Sequence, residues 1–86
     1  MSRLTIYSTG TCPMCEKSKK LLQKWTIPYD EIRLDLDSSE HRRFSELTNG
    51  ARMVPQFLID GKWIGGFTEL TEMHMEDELN DLVETE

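Results

Sequence analysis

Residues 3–15 read RLTIYSTGTCPMC, and the reading of this stretch decides the fold. Arg3 to Ser8 alternates and is rich in β-branched and aromatic residues. That predicts a strand with Leu4 and Ile6 on one face and Thr5 and Tyr7 on the other. Thr9-Gly10-Thr11 breaks it. Pro13 suits the first position of a helix, where its missing amide hydrogen would have no partner anyway. Cys15, Ser18, Leu22 and Trp25 follow at three- and four-residue steps, joined by Met14 and Leu21. The spacing extends the helix to about Trp25, turns Cys15 inward and leaves the lysines to solvent.

Outward from this unit, Ile27-Pro28 turns the chain into a second strand, Tyr29 to Leu34. A strand, helix, strand order favours a parallel pair with a right-handed crossover. Ser38 or Ser39 is placed to cap a helix through about Thr48, where Asn49-Gly50 stops it. Gln56 to Ile59 and Lys62 to Ile64, joined by Asp60-Gly61, form a β-hairpin signal. Thr68 is the expected cap of a last helix carrying Leu70, Met73, Met75, Leu79, Leu82 and Val83.

At 86 residues the chain has room for one α/β domain, 1–86, with a single core. Hydrophobic residues make up 37% and charged residues 30%, the balance of a folded chain rather than a disordered one. The net charge of −6 argues against nucleic acid, which is bound through clustered Lys and Arg. Lys17, Lys19, Lys20 and Lys24 crowd after the cysteines, whereas Phe67 to Glu86 holds acids and no Lys or Arg. Both runs read as solvated helix faces. No apolar stretch approaches the roughly 20 residues that span a membrane, and the start lacks the apolar run of a signal peptide. The expectation is a cytoplasmic monomer.

A disulfide closing a loop this short constrains the unfolded chain little, so chemistry explains the cysteine pair better than stapling. C-x-x-C also serves zinc, but zinc takes four ligands and no second cysteine pair exists. His41 and His74 would have to complete the site, and they read as surface residues. No metal is expected. In the redox reading, Cys12 ends the strand-to-helix loop, where the amides and dipole of the helix N-terminus favour the thiolate. Cys15, one turn later and inward, is placed to attack a mixed disulfide on Cys12.

IYSTGTCPMC, MVPQFLIDGKWIGG and FTEL, in this order and spacing, resemble the glutaredoxin family over nearly the whole chain. The resemblance implies a thioredoxin fold: a four-stranded mixed β-sheet in order 2-1-3-4 flanked by three α-helices, two on one face and one on the other. It implies a cis Pro55 that turns the Val54 backbone toward Cys12, to pair with the cysteinyl part of glutathione. It places the γ-glutamyl carboxylate at the amides of Phe67 and Thr68, where a helix start binds anions. No bound cofactor is implied, with glutathione acting as reducing cosubstrate.

Several positions depart from the family pattern. Thr9 stands where many members carry a lysine for the glycine carboxylate, Met14 replaces the usual Tyr, Met53 replaces Thr, and Thr68 stands where Asp is frequent. Thr9, Met14 and Met53 are kept as glutathione-contacting positions, and Arg42 is the expected substitute cation. The function implied is glutathione-dependent reduction of protein disulfides and glutathionylated proteins, resolved by Cys15 or glutathione. One alternative is a redoxin reduced by thioredoxin reductase that supplies ribonucleotide reductase. Another is an iron–sulfur cluster carrier, against which Pro13 argues because cluster-binding relatives usually have Gly or Ser after the nucleophile.

Overall fold

The central strand of the sheet is β1, Leu4–Ser8, and its alternation is realised on both faces. In this computed structural model, which describes residues 2–83, Leu4 and Ile6 are fully buried on one side and Tyr7 on the other. Met1 and residues 84–86 of the expected 1–86 domain lie outside the described residues. The strand β2, Tyr29–Arg33, pairs parallel to β1, with Leu4 opposite Tyr29 and Ser8 opposite Arg33. On the other edge β3, Gln56–Ile59, runs antiparallel, with Ile6 opposite Phe57. β4, Lys62–Gly66, closes the sheet in the order β2-β1-β3-β4. Asp60 and Gly61 both take positive φ, 52° and 81°, as a tight two-residue hairpin turn demands.

Two helices cover one face and one covers the other. α1, Pro13–Lys24, and α3, Phe67–Met75, send Leu22 and Leu70 into a core with Leu4, Ile6, Ile27 and Phe57. α2, Glu40–Leu47, packs Phe44 against Tyr7, Leu34 and Leu58 on the opposite side. The Tyr7 and Phe44 rings meet edge to face at 5.0 Å. The thioredoxin fold and strand order expected from the resemblance are thus realised. No helix among the described residues is long and apolar enough to cross a membrane.

The helix ends differ from the sequence reading. Ser39 occupies the cap position of α2 but makes no capping bond, because its hydroxyl is turned to Asp37. Thr68 is not the cap of α3. The helix starts one residue beyond Gly66, whose N–H donates to Glu69 Oε1 at 2.7 Å. At its other end α3 stops at Met75, short of the expected run. Asp77 turns to φ 59°, Glu78 N–H returns to Met73 O at 2.8 Å, and Asp77 N–H returns to His74 O. These are the two bonds of a Schellman ending. Leu79 and Leu82 still reach the core, through a 3₁₀ turn at Asn80–Leu82. α1 ends the same way, with Thr26 at φ 55° and Ile27 N–H bonded to Leu22 O.

Lys19 also departs from expectation. It does not join the solvated lysines but bridges Glu16 and Glu31 with its side chain only 16% exposed.

Candidate active site

Cys12 is the residue at which strand geometry gives way to helix geometry. Pro13 fills the first helical position, and Cys12 itself is the N-cap, extended at φ −108°. Its sulfur accepts the N–H of Cys15 at 3.0 Å, using one of the helix-start amides that have no partner inside the helix. On its other side the Cys12 thiol donates to the carbonyl of Val54 at 3.6 Å. The Val54-Pro55 bond is cis. Both cysteines are free thiols, Cys12 half-buried and Cys15 fully buried.

The loop before Cys12 is tied to β2. Asp35 accepts Gly10 N–H at 3.0 Å and two bonds from Arg33, at 2.9 and 2.8 Å. The guanidinium holds the Asp35 carboxyl well below the usual carboxylate range. The Arg33 guanidinium lies directly over Gly10, so a Cβ there would displace the end of that side chain.

The two thiols differ in chemistry. Burial, then the hydrogen bond with Cys12, pushes the Cys15 thiol up to about 12, partly offset by the Thr9 backbone and by Lys19. A buried, protonated thiol is a poor attacker of an outside disulfide, since the thiolate is the nucleophile. Beside the pair opens a cleft of about 390 Å³, lined by Thr9, Leu34, Asp35, His41, Phe44, Ser45, Ala51, Arg52 and Val54.

The family model for glutaredoxin matches residues 4–64. This chain belongs to the glutaredoxin family. Glutaredoxin 1 of Rickettsia prowazekii is 35% identical over 82 residues, covering 94% of this chain and 86% of the relative. A glutaredoxin of Neisseria meningitidis is 34% identical, covering 96% and 98%. Among solved structures, a buckwheat glutaredoxin–glutathione complex superposes with a TM-score of 0.81 at 30% identity, covering 94% of this chain and 76% of that one. Glutaredoxin 1 of Francisella tularensis, complexed with cacodylate, gives a TM-score of 0.71 at 32% identity and coverages of 90% and 95%. The chain is accordingly a thiol–disulfide oxidoreductase of the glutaredoxin type.

The residues singled out in this glutaredoxin fall into two groups. Cys12, Cys15, Thr9, Val54 and Pro55 come together at the helix start and the cleft. Gly66 abuts them, because a Cβ there would stand 3.2 Å from the Pro55 carbonyl, and this brings the α3 start alongside. Phe67 is half-buried at that start with Lys17 Nζ 5.4 Å from its ring centroid, and Thr68 is exposed beside it. Met14 and Met53 are both exposed on the outer surface.

Arg42 is not part of the group. Its side chain is 91% exposed and pairs with Glu46 at 3.5 Å, away from the cleft lining. Arg52 and Asp35 are the Arg and Asp of the cleft lining, and the sequence reading passed over both. Arg52 had a signal available, since it directly precedes Met53-Val54-Pro55. His41 Nε2 lies 2.8 Å from Leu34 O, and His74 stacks on Trp25 at 3.7 Å, so both rings have structural partners. Among the described residues no three His, Cys, Asp or Glu side chains cluster as metal ligands.

Proposed function

We propose that this glutaredoxin reduces protein disulfides and glutathionylated proteins in the cytoplasm as a monomer, with glutathione as the electron donor. The observation that carries the reading is the position of Cys12 Sγ, between a donated Cys15 N–H at 3.0 Å and the Val54 carbonyl at 3.6 Å. The Cys12 thiolate attacks the substrate disulfide and expels one thiolate, leaving a mixed disulfide on Cys12. Cys15 or a glutathione thiolate then releases the second sulfur, and glutathione restores the dithiol. The Val54 backbone pairs with the cysteinyl segment of glutathione in a short β-like contact. Its γ-glutamyl carboxylate takes the free amides at Phe67 and Thr68, where the helix dipole favours negative charge. Met14 and Met53 provide the adaptable apolar rim.

The glycine carboxylate needs a cation, because a hydroxyl stands at Thr9. Arg52 serves this role in place of Arg42, since it lines the same cleft as Thr9 and Val54. An exposed charge pair of this kind contributes about 1 kcal/mol, or somewhat more when bidentate. Arg52→Ala is therefore expected to raise KM for a glutathionylated peptide about three- to tenfold, with kcat little changed. Arg42→Ala should leave both unchanged. An unaltered KM in Arg52→Ala removes the assignment.

The donor is tested by coupling disulfide reduction to NADPH, once through glutathione and glutathione reductase and once through thioredoxin reductase alone. The expected result is turnover with the first and none with the second. Thr9 and the Asp35 carboxylate in the cleft keep a second reading open, a redoxin fed by thioredoxin reductase that serves ribonucleotide reductase. Turnover with thioredoxin reductase alone establishes that reading and overturns the first.

A further inference from the structure

Behind the cysteine pair lies a polar network that disulfide exchange at Cys12 does not use. Ser8, fully buried at the end of β1, donates its hydroxyl to Glu31 Oε2 at 2.6 Å. Lys19 Nζ reaches the same oxygen at 3.0 Å and Glu16 Oε1 at 3.1 Å. A lysine this close to a surface ordinarily extends its charge into water. Here two carboxylates hold the ammonium down against the sheet. Burial of Glu31 works against its charge, yet the bonds from Ser8 and Lys19 keep it below the usual carboxylate range.

The place of the ammonium gives the network its meaning. Lys19 follows Cys15 by four residues on α1, so the two side chains share one helix face a single turn apart. Ser8 directly precedes Thr9, whose backbone favours ionisation of Cys15. The groups that act on the Cys15 thiol are Cys12, the Thr9 backbone and Lys19, and Lys19 is itself paired with Glu16 and Glu31, with Arg33 beyond Glu31. Cys12 opposes ionisation of Cys15, and Lys19 favours it.

We propose that Lys19, clamped by Glu31 and Glu16, is a positioning residue for the resolving thiol, its ammonium steadying the Cys15 thiolate during attack on the mixed disulfide at Cys12. In that step Cys15 gives its proton to water and its sulfur forms a bond to Cys12 Sγ. The bond between Cys12 and the substrate sulfur breaks, and that sulfur leaves as a thiolate which takes a proton from water. Two electrons pass from the dithiol to the substrate, and the pair ends as an intramolecular disulfide. The clamp is indifferent to Cys12's first attack on the substrate, so its effect belongs to the second step.

The test uses an aromatic disulfide, 5,5′-dithiobis(2-nitrobenzoate), added to the reduced protein at one equivalent without glutathione. Attack by Cys12 releases the first chromophore and attack by Cys15 the second, so stopped-flow absorbance reads the two steps separately, whatever the physiological electron donor. K19M is expected to lower the ratio of second to first rate on the order of three- to tenfold, the size of a partly screened charge interaction. The loss should be the same factor at each pH from about 7 to 9, because a protonated thiol reacts in proportion to its thiolate fraction. K19R should restore the ratio, and K19Q carries the same expectation as K19M if the latter does not fold. An unchanged ratio, equal slowing of both steps, or K19R as slow as K19M overturns the proposal.

Discussion

Cys12→Ser is expected to abolish disulfide reduction, lowering kcat/KM on the order of 10³-fold or more, while the protein stays folded. A serine hydroxyl at the α1 cap can still accept the Cys15 N–H, and caps of this type are well tolerated. What disappears is the sulfur nucleophile. The remaining thiol cannot take its place. Cys15 is fully buried, and at about 12 its ionised fraction near neutral pH is roughly one part in 10⁵. Raising the pH should increase any residual rate about tenfold per unit, since the group gains thiolate as pH approaches its raised value. Cys15→Ser is the informative partner. It should lose reduction of protein disulfides that need a second protein thiol and keep deglutathionylation, where glutathione itself resolves the intermediate. Turnover by Cys12→Ser at a rate near that of the parent, in the same NADPH-coupled assay, sinks the assignment of the nucleophile.

The sequence was informative where a physical rule acts locally. The two-residue period of a strand sorts Leu4 and Ile6 to one face of β1 and Tyr7 to the other, and Asp60-Gly61 supplies the positive φ that a two-residue hairpin needs. Pro13 after Cys12 located the helix start to the residue. Helix ends were less legible, because two of them are made without the glycine that usually takes the left-handed position. Thr26 and Asp77 are held there by the returning bonds of Ile27 and Glu78 and by the burial of Ile27 and Leu79, which are tertiary effects. The α3 start shifted from Thr68 to Gly66 because Glu69 reaches back to the Gly66 amide, a preference that competes with hydroxyl capping.

The site shows the same division. Cys12, Cys15, Val54 and Pro55 are close in sequence to the features that orient them. Arg42 and Arg52 both lie near the expected cleft in the chain, and Arg52 lines it whereas Arg42 is turned outward. Arg42 sits on the outer face of α2 with Glu46 one turn on, and Arg52 comes after the helix has ended. The Lys19 clamp was hidden because half of it, Ser8 and Glu31, comes from strands whose pairing register a charge pattern does not reveal.

Phe57→Ala carries the largest expected effect on stability, and its consequences reach the site. The ring is fully buried, opposite Ile6 in β1, in the core shared by α1 and α3. Removing it costs about 3 to 5 kcal/mol through lost transfer energy and an unfilled cavity. A domain of this size has roughly 4 to 13 kcal/mol in total, so the variant should be marginal or unfolded in the absence of denaturant. Phe57 pairs with Gly65 across the β3–β4 hairpin, where a Cβ on Gly65 would stand 2.5 Å from Glu69 Cγ, so that partner strand has no room for a compensating larger residue. Phe57→Leu keeps most of the volume and should cost less than about 1.5 kcal/mol. Urea unfolding followed by circular dichroism distinguishes these expectations, and a Phe57→Ala midpoint within error of the parent contradicts them. Because Phe57 lies two residues beyond Pro55, a loosened β3 also loosens the hold on the Val54 carbonyl beside Cys12. The Leu variant should therefore retain activity in proportion to its folded fraction, whereas the Ala variant should lose activity at denaturant concentrations below its own midpoint.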